Sequence, residues 1–200
     1  MENKKMMKTA GTFETIFKVV RGITMACGFV CLAMAVLVLI FGEKMFVPGS
    51  LTLDLDFVKL HLAEEFQGIT GAIKLYAVVS LLWAGVLLFV TAYTCGLYRG
   101  ILALVKEGRP FEKGVVTNLR KVAWAILAGG AAATLLGLVG HVILTRAYPM
   151  EQIFASEAVT KLEYVFTMDF SFVATACIVF LLSYIFSYGQ ALQRQSDETL

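Results

Sequence analysis

Three ionisable side chains in this 200-residue chain could do chemistry inside a membrane: Lys74, His141 and Asp169. Counted from the ends of the apolar runs around them, all three fall within about two helical turns of one interface. Ionisable groups at such a depth are costly, are usually paired and often mark a site, so a proton- or ligand-responsive cluster is one reading. The preferred expectation is structural, with Lys74 and Asp169 at the interface and His141 hydrogen-bonded between helices. Cys27 and Cys31, four apart, share a helix face and suit small apolar packing better than a soft-metal site, which would want further thiols or imidazoles. His61 and His141 lie far apart and lack matching ligands. With no HExxH, GxSxG, P-loop or CxxC pattern, the expectation is a protein with no enzymatic activity, no cofactor and no metal.

A different chemistry gathers in residues 107–124, EGRPFEKGVVTNLRKVAW, where Arg109, Lys113, Arg120 and Lys121 crowd together in a chain that is only 16% charged. The elements that position these groups follow from hydropathy. The chain is 58% hydrophobic with a mean hydropathy of +0.78, well above the roughly 45–50% apolar usage of soluble domains. Gly22–Gly42, Leu75–Tyr98, Val122–Thr145 and Phe170–Tyr188 contain no Asp, Glu, Lys or Arg. Each is about the length of the ~20 helical residues that cross a bilayer core, and lipid leaves an open backbone no partner outside a helix or closed barrel. The fold class expected is an all-α membrane protein: a four-helix transmembrane bundle with a small extracytoplasmic cap, in one integral domain. The helices are predicted over about 13–42, 73–106, 112–145 and 165–195. The first run is too long for a signal-peptide core and lacks a clear cleavage site, so it is predicted to be retained.

Charge sets the expected orientation. With four crossings, twelve of the 17 Lys and Arg residues fall on one side: Lys4, Lys5, Lys8, Lys18 and Arg21, the cluster from Arg99 to Lys121, and Arg194. Positive residues are kept inside the cell, which predicts a multi-pass membrane protein with both termini cytoplasmic. The other side carries most of the acids. A net charge of only +2, with the cations where topology alone would put them, argues against direct nucleic-acid binding. Anionic lipid headgroups are the better match for the basic loop.

Between the runs, Phe13, Ile16, Phe17 and Val20 follow an i, i+3, i+4, i+7 spacing and predict an interfacial amphipathic lead into the first helix. LTLDLDF at 51–57 alternates with period two and then changes phase at Val58, predicting a strand and a turn or bulge that packs near 161–166. Gly108 and Pro110 predict a tight helix–helix connection anchored by Phe111. Gly129, Ala133 and Gly137 repeat every four and form a small-residue face, expected to serve packing within the bundle or, as the alternative, a homo-oligomer seam.

The basic loop resembles the central motif of the DUF2975 membrane proteins: Gly108, Pro110 and Phe111 as a G-x-P-F turn, followed by Asn118, Leu119 and Arg120. The tail IFSYGQALQRQSDETL is similar to the family's ending, with Gly189 after the last crossing, Leu192 three residues on, and Asp197 and Glu198 near the terminus. It departs from that ending at Gln195, where an acidic residue would stand. The resemblance implies a bacterial four-helix protein of the cytoplasmic membrane without an established activity, whose gene often neighbours a small helix-turn-helix repressor. The function expected is therefore a sensor, or the membrane partner of a small helix-turn-helix DNA-binding protein. The alternative is a small transporter, a transport accessory subunit or an immunity protein against a membrane-active peptide.

Overall fold

Uncharged runs of this length place every backbone polar group in an internal ladder, and helices result. The computed structural model describes residues 2–45, 52–55, 58–61, 70–147 and 169–198. Among them are four helices: α1 (Glu2–Met45), α2 (Thr70–Lys106), α3 (Lys113–Ala147) and α4 (Ser171–Glu198). All four are long and apolar enough to cross a membrane. At 1.5 Å per residue they run from about 42 Å for α4 to about 66 Å for α1, so each outlasts a ~30 Å hydrocarbon core.

The expected helices are present, with altered ends. α1 starts at Glu2 instead of near residue 13, and the predicted interfacial lead lies within the continuous N-terminal half of that helix. Nothing in 2–21 breaks it: no proline occurs there, and a Cβ added at Gly11 would meet nothing within 4 Å. The fourth helix is described from Ser171, and residues 165–168 of the predicted span lie outside the described residues. Two four-residue strands, β1 (Thr52–Leu55) and β2 (Val58–His61), pair antiparallel, with Leu53 opposite Leu60 and Asp54 opposite Lys59. The predicted contact of this segment with 161–166 lies outside the described residues.

The chain divides into two compact units. The first comprises Met1–Phe29, Gly85–Ala133 and Asp169–Leu200, and brings segments of all four helices into one bundle. Its core is built on α3, where Val115, Leu119, Val122 and Ala123 follow the i, i+4, i+7, i+8 spacing of one helix face and are almost fully buried. Leu97, Ile101 and Leu104 of α2 and Val179, Phe180 and Phe186 of α4 pack on that face. The second unit comprises Val30–Ala84 and Thr134–Met168. In it Ala35 and Val38 of α1 close against Val78 of α2.

Outside these cores the apolar surface is turned outward. Ile40 is 64% exposed, Leu135 64% and Ile185 63%. A helix that is apolar all round, with a core stripe on one side and bare aliphatic groups on the other, matches a hydrocarbon solvent on its outer face. Cys27, Cys31, Cys95 and Cys177 are all free.

Candidate functional site

The basic turn is built from its punctuation. α2 ends in a pair of reversed bonds, the Gly108 N–H donating to the Val105 carbonyl (3.0 Å) and the Arg109 N–H to the Leu104 carbonyl (3.0 Å). This is the Schellman arrangement, and it requires a left-handed residue at Gly108, whose φ is +77°. Pro110 follows, where it has no helical bond to lose. α3 then begins with the Val115 N–H donating to the Glu112 carbonyl at 2.9 Å. Arg109 spans the turn between two carboxylates: it pairs with Glu107, and its Nη1 lies 3.0 Å from Glu112 Oε2 in an ion pair that is not aligned as a hydrogen bond. The Glu107 hydrogen bond, then the charges of Glu112 and Glu107, raise the Arg109 pKa further above its ordinary value.

The residues after the turn are spent on packing. Phe111 is 39% exposed, yet its ring lies against α4: a Cβ added at Gly189 would sit 2.7 Å from Phe111 Cε1. Phe186, one helical turn earlier, places its ring centroid 5.8 Å from that of Phe111. Gly189 thus leaves the seat that Phe111 fills. The same device recurs where α2 meets α3. Asn118 Nδ2 lies 2.8 Å from where a Cβ at Gly100 would be, and Leu104 Cδ1 lies 2.8 Å from where one at Gly114 would be. Leu119 belongs to the core, and the Arg120 guanidinium stands 5.8 Å from the ring centre of Tyr184, within the ~6 Å range of a cation–π contact. The two motifs picked out from the sequence, one around residue 110 and one around 189, are therefore in contact. The tail beyond Gly189 is less engaged: Leu192 is exposed, and Glu198 accepts from Arg194 Nε at 2.9 Å within its own helix. The Asp197 side chain lies outside the described residues.

The N-terminal half of α1 packs on the end of α2. Phe17 stacks on Tyr98 with centroids 5.4 Å apart, Lys106 Nζ approaches Glu14 Oε2 at 3.6 Å, and the Arg21 guanidinium lies over Gly96. Phe17, Arg21 and Lys106 were read from the sequence for periodicity and charge, but none of these pairings was. Glu14, the lone acid between Lys8 and Lys18, was the available signal. Besides Glu112 Oε2, two buried polar atoms in the first unit, Arg99 Nε and the hydroxyl of the fully buried Ser183, lack a hydrogen-bond partner among the described residues.

The three ionisable groups considered first take different places. Asp169 belongs to the first unit and caps α4, accepting from the Ser171 N–H at 2.8 Å and the Ser171 hydroxyl at 3.0 Å. Those two bonds hold its pKa below the ordinary aspartate value. Lys74 and His141 belong to the second unit. The Lys74 stem runs along Gly42 of α1, its Cγ and Cδ 3.0 Å from where a Cβ there would lie. His141 lines a cavity of about 450 Å³ with Tyr76, Ser80 and Trp83 of α2 and Gly137 and Gly140 of α3. Among the described residues no group of three or more His, Cys, Asp or Glu side chains could hold a metal ion.

The small residues of α3 serve more than one neighbour. A Cβ at Gly129 would lie 2.5 Å from Val90 of α2, and one at Gly130 would fall on the ring of Phe172 of α4. Successive helical residues point about 100° apart, so this glycine pair lets two different helices close on α3.

Residues 59–200 match the family described as "Protein of unknown function (DUF2975)". No curated protein and no solved structure matches the chain. A match over most of the sequence, on the turn and tail whose contact has just been described, makes this chain a multi-pass membrane protein of the DUF2975 family.

Proposed function

We propose that this is a non-enzymatic protein of the bacterial cytoplasmic membrane. In this reading the α2–α3 turn and the end of α4 face the cytoplasm and together dock a small helix-turn-helix DNA-binding regulator. The observation that carries the reading is the seat of Phe111 on Gly189 and Phe186. It joins two segments far apart in sequence into one surface and leaves Lys113, Arg120 and Lys121 exposed around it. Such a surface offers both a fixed shape and a positive field to an acidic partner. The positive-inside rule supplies the orientation.

Transport is less well supported, because none of the four described helices contains a proline. None of these four helices is therefore broken by proline in the way that transporter binding sites often are.

Co-purification from native membranes tests the proposal. A small helix-turn-helix protein is expected to accompany the full chain and to be lost with Gly189→Leu, which evicts the Phe111 ring, and with deletion of residues 189–200. Equal recovery with all three chains, or recovery of no such protein with the unaltered chain, would sink it.

A further inference from the structure

Along the outer face of α3 in the first unit the exposed residues keep helical spacing. Lys113, Arg120, Lys121, Trp124, Ala128 and Ala131 stand at i, i+7, i+8, i+11, i+15 and i+18. The face is graded: its first turns are cationic, an indole follows, and small apolar groups continue beyond it. At 1.5 Å per residue, Trp124 lies about 6 Å along the axis from Arg120, and Ala131 about 16 Å. This is the order in which a helix passes from headgroups into hydrocarbon, because indole and phenol rings favour the boundary between the two. Tyr184 and Tyr188 extend that boundary onto α4. Trp124, Tyr184 and Tyr188 are 61%, 64% and 68% exposed, so none is spent on the core.

Two contacts in step hold this face in place. Arg120 lies over the Tyr184 ring at 5.8 Å, and one helical turn away Trp124 meets Phe180 edge to face, with centroids 5.5 Å apart. A ring face offers no lone pair, so the five N–H donors of the Arg120 guanidinium stay available. The charge stays uncompensated as well. At the same end of the bundle Lys106 pairs with Glu14, Arg109 with Glu107 and Glu112, and Arg194 with Glu198. Lys113, Arg120 and Lys121 have no carboxylate partner among the described residues. Three cations on one helix face therefore take no counter-charge from the described chain.

We propose that this face binds an anionic phospholipid. The phosphodiester accepts from Arg120 beside Lys121, the glycerol backbone lies level with Trp124 and Tyr184, and the acyl chains run along Ala128 and Ala131. Net negative charge selects this lipid. A zwitterionic headgroup brings its own ammonium and leaves the three cations uncompensated. A free phosphate would satisfy the cations but leave Trp124 and the apolar end of the face bare. The inference goes beyond the regulator-docking proposal and does not rest on it, because a purified chain in lipid vesicles meets no regulator.

Trp124 can report on the site, since Trp83 is the other tryptophan of the chain. The Trp83→Phe protein is reconstituted in phosphatidylcholine vesicles. A minor fraction of phosphatidylglycerol, brominated near the headgroup end of its chains, is expected to quench Trp124 more than the same fraction of brominated phosphatidylcholine. Arg120→Gln and Lys121→Gln should each lower that preference about five-fold, the weight of one cation at an anionic surface. Both side chains are exposed, so the fold should survive. Lys106→Gln removes the same charge from a paired cation and should leave the preference nearly unchanged. Inorganic phosphate should lower it no more than chloride at equal ionic strength. Equal quenching by the two brominated lipids overturns the proposal, as does a preference that survives Arg120→Gln combined with Lys121→Gln. An equal loss with Lys106→Gln also overturns it, reducing the preference to a diffuse field. Displacement by phosphate beyond the chloride control does so too, leaving an anion site without a lipid. If Trp83→Phe does not fold, the unaltered chain is compared with Trp124→Phe, and the same outcomes decide.

Discussion

The two halves of α3 use the same residue in opposite ways. In the first unit Gly129 and Gly130 meet Val90 and Phe172 so closely that a Cβ has no room, and Gly189 on α4 is filled in the same manner by Phe111. In the second unit Gly137 and Gly140 keep ordinary van der Waals clearance from Trp83 and Tyr76, and a cavity remains. A glycine in a membrane helix is thus not by itself a packing signal. What the neighbouring helix presents, a side chain thrust into the notch or a ring held back from it, decides whether it gives contact or space.

Glycine substitutions test that contrast most strongly. Gly129→Ala and Gly189→Leu should each lower stability by about 1–3 kcal/mol, the usual cost of forcing bulk into a filled site. Gly137→Ala should change little. Thermal unfolding in one detergent would show the ranking, and a Gly137→Ala loss as large as that of Gly129→Ala would erase the distinction between the halves. Next comes Gly108→Ala. There the penalty comes from the backbone, about 1–2 kcal/mol for a left-handed residue with a Cβ, although a Cβ would meet nothing within 4 Å.

Gly22 supplies the opposite sign. It lies mid-helix in α1 with nothing within 4 Å of an added Cβ. Gly22→Ala should therefore stabilise by about 0.5–1 kcal/mol through helix propensity. The ion pair between Lys106 and Glu14 should give the smallest effect, on the order of 0.2–1 kcal/mol in a double-mutant cycle and less in high salt.

A pH profile separates the capped start of α4 from the rest. The folded-state pKa of Asp169 is below its unfolded value, so its contribution is fully present above the ordinary aspartate pKa. That contribution should disappear as pH falls through the depressed folded value. Thermal melts from neutral to strongly acidic pH should show an acid-side loss that Asp169→Asn diminishes. An identical acid limb in both proteins would mean that the cap does not govern the helix start.

The sequence was most informative where chemistry is local. Uncharged runs announced the four helices, and Gly108 followed by Pro110 announced the turn, because hydropathy and φ preference act within a few residues. The start of α4 was less legible, although an Asp just ahead of an apolar helix is a capping signal. The length of α1 was underestimated because the apolar pattern weakens before residue 13 while nothing interrupts the backbone ladder. Phe111 could be named as an anchor from its place after the proline. Its seat on Gly189 could not, since nothing near either residue refers to the other.

Composition and periodicity alone determined that this chain crosses a bilayer as helices and bends sharply at Gly108. A desolvated backbone must bond to itself, and that constraint is written in every apolar run. Only the tertiary structure decided which glycines are filled and which leave a cavity. That outcome depends on the register and separation of neighbouring helices, distances that no single segment encodes.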